Sequence, residues 1–121
     1  MKSWIVLGAS LAALAVALGA FGAHGLKNRV TPADLSIFET GVKYQMYHAL
    51  GLILIGILGF HYNSDIIQTP AVLISIGTLI FSGSLYILVF TGLRWMGAIT
   101  PIGGILLVSG WGMLVFHLLK S

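Results

Sequence analysis

Between Lys2 and Lys27, and again between Arg94 and Lys120, the chain carries no Asp, Glu, Lys or Arg; between Lys43 and Arg94 its single charged residue is Asp65. This spacing of charge constrains the fold more than any motif does. A soluble domain gives about a quarter of its residues to charge, because its surface must be solvated. Here the charged fraction is 7% of 121 residues. Such a chain cannot cover a water-facing surface, so its outside must face lipid. The apolar stretches run 4–23, 42–60, 71–90 and 96–119. About 20 helical residues cross about 30 Å of hydrocarbon, so each stretch is long enough to span. The expectation is an all-α membrane protein, an antiparallel four-transmembrane-helix bundle, with residues 1–121 as a single integral membrane domain. A signal peptide is the rival reading of the first run, since Lys2 precedes it and small residues end it. Its full spanning length and its continuing glycine pattern favour a helix that stays.

The connections carry the remaining signals. The first, about 24–41, contains "TPADLSIFE". Thr31 suits an N-cap, Pro32 a first turn, and Asp34 the positive end of a helix. This predicts an interfacial helical segment between helices 1 and 2, bending near Gly41 into the second span. The second connection, "HYNSDIIQTP", has no Lys or Arg, and the third, "TGLRW", reads as a tight turn. Connections one and three share a side and hold Lys27, Arg29, Lys43 and Arg94, against Lys2 and Lys120 opposite. The positive-inside rule then places connections one and three in the cytoplasm and both termini outside. The basic residues are topology signals rather than a nucleic-acid footprint. The absence of Cys removes disulfides, Cys–zinc sites and thiol chemistry.

Small residues mark the packing faces. Gly8, Ala12, Ala15, Gly19 and Ala23 recur every three or four positions in the first helix, with Gly22 beside them. The fourth helix sets Gly97, Gly104 and Trp111 on one side, with Gly103 and Gly110 nearby. Lipid supplies no hydrophobic drive between helices, so close backbone approach must hold them together. Polar residues gather differently. "YQMYHALG" places Tyr44, Gln45 and His48 within about 100° of arc at 100° per residue. Ser75, Thr78, Ser82 and Tyr86 form a stripe on the third helix, and Thr100 enters the fourth. Counted from the ends of the apolar runs, His48, Tyr86 and Thr100 each fall roughly 7 Å deep, with His24 at the rim above them. The expectation is a polar-lined half on the side of connections one and three.

Four blocks, "GAFGAHGL", "FETGVKYQMYHALGL", "LIFSGSLYIL" and "ITPIGGILLVSGW", resemble those of the small four-span membrane proteins grouped as domain of unknown function 423, whose animal relative is transmembrane protein 256. The resemblance covers nearly the whole chain in the family's order. It implies four transmembrane helices in a bacterial plasma membrane and brings no activity with it. The family-like positions are His24, Tyr44, Gln45, His48, Ser82, Ser84, Tyr86, Thr100, Pro101, Gly103, Gly104 and Trp111.

Each feature has a plain reading beside the functional one. His24 precedes Gly25, a natural C′ residue, and can cap the last carbonyls of the first helix. An ionisable group inside a span is a functional hypothesis by default, yet a neutral His48 bonded to Tyr86 or Thr100 would simply hold helices together. Metal binding by His24 and His48 lacks further ligands, so no metal and no cofactor are expected. His61 and His117 belong in the headgroup region, and Trp4, Trp95 and Tyr62 read as interfacial anchors. Trp111 lies too deep for an anchor and is expected to pack on glycines. With no paired carboxylates and no nucleophile–base pair, the expectation is a non-enzymatic scaffold or accessory subunit. Its partners would be the lipid bilayer and copies of itself or a larger membrane complex. The alternatives are a transporter, channel or proton-relay element using His48, Tyr86 and Thr100, or a binder of a lipid or quinone-like amphiphile in the polar-lined half.

Overall fold

The computed structural model describes residues 1–121 and consists of four long helices. α1 is Lys2–Phe21, α2 Pro32–Leu58, α3 Ser64–Thr91 and α4 Thr100–Lys120. All four are long and apolar enough to cross a membrane. A π turn, Gly22–Leu26, extends α1, and a 3-10 turn, Arg94–Ala98, precedes α4.

The ends follow from local chemistry. Thr31 sits in extended backbone and its Oγ1 accepts the Asp34 amide at 3.1 Å, with Pro32 opening the helix behind it. The segment expected at the interface is helical, and it runs without interruption through Gly41 into the span as the first turns of α2. α3 starts seven residues before the apolar run does, at Ser64, and contains Pro70. Proline has no N–H, so the carbonyl of Ile66, four residues earlier, loses its helical donor. His117 Nδ1 bonds that carbonyl at 3.0 Å from the end of α4. Counting hydropathy alone could not find this early start, because it takes a residue on another helix to satisfy it. Gly92 ends α3 in the left-handed region at φ 74°, its amide on the Leu88 carbonyl at 2.8 Å.

The helices stand in chain order: α1 packs on α2, α2 on α3, and α3 on α4. Two close backbone approaches fix the outer pairs. A Cβ on Gly8 would lie 2.6 Å from the Ala49 carbonyl oxygen of α2. A Cβ on Gly103 would run into the backbone of Phe81 on α3. Such contacts replace the hydrophobic drive that lipid does not provide. Gly22 faces the Phe38 ring and Gly110 faces Ile74 at similarly short range. Gly19, Gly97 and Gly104 differ from expectation: a Cβ there would meet its nearest neighbour at 3.5, 3.6 and 3.9 Å, ordinary contact. Helical periodicity shows which glycines share a face, not where a neighbour crosses it.

Two apolar clusters result. Leu52, Ile55, Ile67, Ala71, Ile74, Leu107 and Leu114 join α2, α3 and α4, with Leu7 and Leu11 of α1 against them. Leu26, Phe38, Leu88 and Val89 close the end that holds the first and third connections. That end also carries a bidentate ion pair, Arg94 to Asp34 at 2.8 and 3.0 Å.

Candidate functional site

The polar residues of the spans resolve into two groups that the sequence had merged. The first ties helices together around Gln45, which is 3% exposed. Its Nε2 donates to the Leu11 carbonyl of α1 at 2.8 Å, and its Oε1 accepts the Tyr86 hydroxyl of α3 at 2.7 Å. One turn away, the Ser82 hydroxyl donates to the Gly41 carbonyl at 2.7 Å. Tyr86 lies over Gly41, where a Cβ would approach its ring to 2.8 Å. On the other flank Ser84 and Thr100 share a bond of 2.5 Å, joining α3 to α4. Gln45, Ser82, Ser84, Tyr86 and Thr100 are therefore spent on helix–helix contacts.

The second group is His48 and its surroundings. His48 is 8% exposed. Its partner is neither Tyr86 nor Thr100: Nδ1 bonds the Tyr44 carbonyl of its own helix at 2.7 Å. Of the three residues expected at equal depth, His48 stands apart from Tyr86 and Thr100, and no hydrogen bonds join them into a relay. The reason is geometric. The ends of apolar runs do not mark the ends of helices here, so residues counted from them are out of register. The His48 ring lies 5.9 Å from that of Trp111 on α4 and 6.2 Å from that of Tyr44. Tyr44 in turn stacks on Phe81 of α3 at 4.5 Å. Together they line a groove of about 570 Å³ between α2, α3 and α4, with Pro101 and Gly104 at its α4 wall.

Trp111 does pack on a glycine, though one the sequence reading had not singled out: Gly51 of α2, where a Cβ would meet the indole at 2.8 Å. Small residues on α2 carry no visible repeat, so only the approach of α4 identifies it. His24 corrects its expectation outright. It is exposed on the π turn and caps nothing, and Gly25 has no left-handed backbone. The helix widens there instead of ending. Gly25 makes room for the Phe21 ring, which a Cβ would meet at 3.0 Å. His24 and His48 belong to no group of three metal-ligating side chains. At the opposite end Trp4, expected as an interfacial anchor, donates to Gln68 at 3.3 Å and so ties α1 to α3.

Comparison with known proteins agrees with this architecture. The family described as Protein of unknown function (DUF423) matches residues 18–104. A UPF0382 membrane protein of Staphylococcus saprophyticus is 50% identical over 120 residues, covering 99% of both chains. Another, from Bacillus subtilis, is 46% identical over 121 residues, covering 99% of this chain and 98% of its own. A third, from Staphylococcus haemolyticus, is 47% identical over 120 residues, with 99% and 98% covered. No solved structure matches this chain.

Proposed function

The chain belongs to the DUF423 family of membrane proteins, and on that premise we propose that it is a non-enzymatic scaffold or accessory subunit of a complex in the bacterial plasma membrane. The observation that carries this reading is the row arrangement of the helices. α1 packs chiefly on α2, and its opposite face presents Ala9, Ala13, Ala17 and Ala20, all exposed at spacings of four, four and three. This small-residue stripe repeats the device by which Gly8 seats α1 on α2, and nothing within the chain uses it. A second helix, from another copy or another subunit, fits there by the same backbone approach. The commitment of the Ser82, Ser84 and Thr100 hydroxyls to helix contacts supports a non-catalytic role.

The count of basic residues supports connections one and three in the cytoplasm and both termini outside. Labelling a Ser64→Cys variant in intact cells tests the orientation: reaction with an impermeant maleimide from outside agrees with it, and reaction only after lysis reverses it. The functional test is purification of the tagged protein from its native membrane in mild detergent, read by mass spectrometry. Stoichiometric subunits, or a homo-oligomer broken by Ala13→Leu, are the expected result. A monomer recovered alone, indifferent to Ala13→Leu, overturns the scaffold reading.

A further inference from the structure

We infer that the groove beside His48 is a binding site for a membrane-soluble hydroquinone, a flat aromatic diol on an apolar tail. The site is distinct from the α1 stripe assigned to a partner helix. The inference starts from the imidazole. Because Nδ1 faces a carbonyl, which only accepts, Nδ1 carries the hydrogen. In the neutral ring, the inexpensive form inside a span, Nε2 then presents a lone pair. Nε2 has no hydrogen-bond partner in the chain, yet it is not among sealed, unsatisfied buried atoms, of which there are none. His48 is more than nine-tenths buried and lines the groove. The remaining surface of the ring therefore opens into that groove, with one acceptor waiting for a donor.

The walls specify the donor. Tyr44, Phe81 and Trp111 supply aromatic faces, and Gly104 and Val108 leave a smooth apolar floor open to lipid. Aromatic groups pack on one another in offset or edge geometry, a gain beyond the area they bury. A volume of about 570 Å³ falls within the ordinary range for small-ligand sites, about 300–1,000 Å³. An aromatic hydroxyl donating to Nε2, with its ring among Tyr44 and Trp111 and its tail along α4 into the bilayer, engages the imidazole, the aromatic walls and the opening to lipid together. Water is a poor occupant of a groove open to lipid, and an acyl chain would leave Nε2 unpaired. At Nε2 the oxidised quinone offers only acceptors, so the reduced form is the one that His48 recognises.

The test uses the full chain in nanodiscs with Trp4→Phe and Trp95→Phe, so that Trp111 is the sole tryptophan. The probe is decylhydroquinone held reduced by ascorbate, with its dimethyl ether as control. Expected is saturable quenching of Trp111. The ether, and separately His48→Phe, should weaken it five- to tenfold, the worth of one hydrogen bond at about 1–1.4 kcal/mol. Gly104→Leu, which fills the groove where a Cβ has room, should abolish saturation. Quenching that rises linearly and equally in all variants is partition into lipid, and it overturns the site. Equal affinity for diol and ether overturns recognition by His48 even if Gly104→Leu still blocks.

Discussion

Replacing Gln45 by leucine tests the central claim that one amide holds three helices together. Leucine is close to glutamine in volume, so the substitution removes two hydrogen bonds without opening a cavity. Interhelical bonds in membranes are worth about 0.6–1.7 kcal/mol each. The bonds to Leu11 and Tyr86 therefore account for about 1–3 kcal/mol. The Tyr86 hydroxyl, left without its acceptor, adds about 1 kcal/mol. Leu11 loses less, because its carbonyl keeps its helical donor. Gln45→Leu should therefore destabilise the protein by about 2–4 kcal/mol. Tyr86→Phe alone removes one bond and strands Oε1. The double variant strands nothing, so its cost should fall short of the sum of the singles by about 1 kcal/mol. Reversible unfolding by SDS in mixed micelles, followed by tryptophan fluorescence, measures all three. A Gln45→Leu cost within 0.5 kcal/mol of zero, or strict additivity, would refute the bridge.

Glycines provide an internal contrast. Gly103→Ala should lower Tm, because its methyl meets the backbone of α3. Gly112→Ala, with nothing within 4 Å, should raise stability by about 0.5–1 kcal/mol through helix propensity; the reverse order in a detergent melt would contradict the packing. His117→Phe should destabilise a chain containing Pro70 and become nearly silent once Pro70→Ala restores the amide to Ile66, a comparison made by the same SDS titration. Arg94 hydrogen-bonds Asp34 and holds its carboxyl below the ordinary value of 3.8. A lowered acid pKa stabilises the fold above the unfolded value and loses that contribution as pH falls through the folded one. The Tm gap between wild type and Asp34→Asn should accordingly be present at pH 6 and close below about pH 4; a gap unchanged at low pH would exclude the ion pair as its source.

The number of spans, the Thr31 cap and the presence of polar residues within the bilayer were legible because each depends on local sequence. Hydropathy reports solvent, and capping reports residues three apart. The grouping of those polar residues was not legible. Gln45 and His48 are near neighbours on one helix, yet one faces Tyr86 and the other a lipid-open groove, and only the placement of α3 and α4 separates them. His24 misled for a related reason: a glycine after a histidine looks like a terminus unless the Phe21 ring that needs the space is seen. The early start of α3 was hidden because Pro70 looks like a stop until His117 supplies the missing donor.

The row of helices also bears on biogenesis. Each helix after the first packs on the one made just before it, so α1 and α2 need nothing synthesised later to seat Gly8 or to bond Gln45 to Leu11. The chain can be assembled in the order in which it is translated, each new span docking on an exposed flank rather than inserting between two partners. Besides the apolar packing of Trp111 on Gly51 and of Phe21 near Phe90, two polar contacts reach across the row, Trp4 to Gln68 and Arg94 to Asp34, and they lie at the two ends of the bundle. They act as latches at the two ends, on a fold whose larger helix contacts lie between neighbours in the chain.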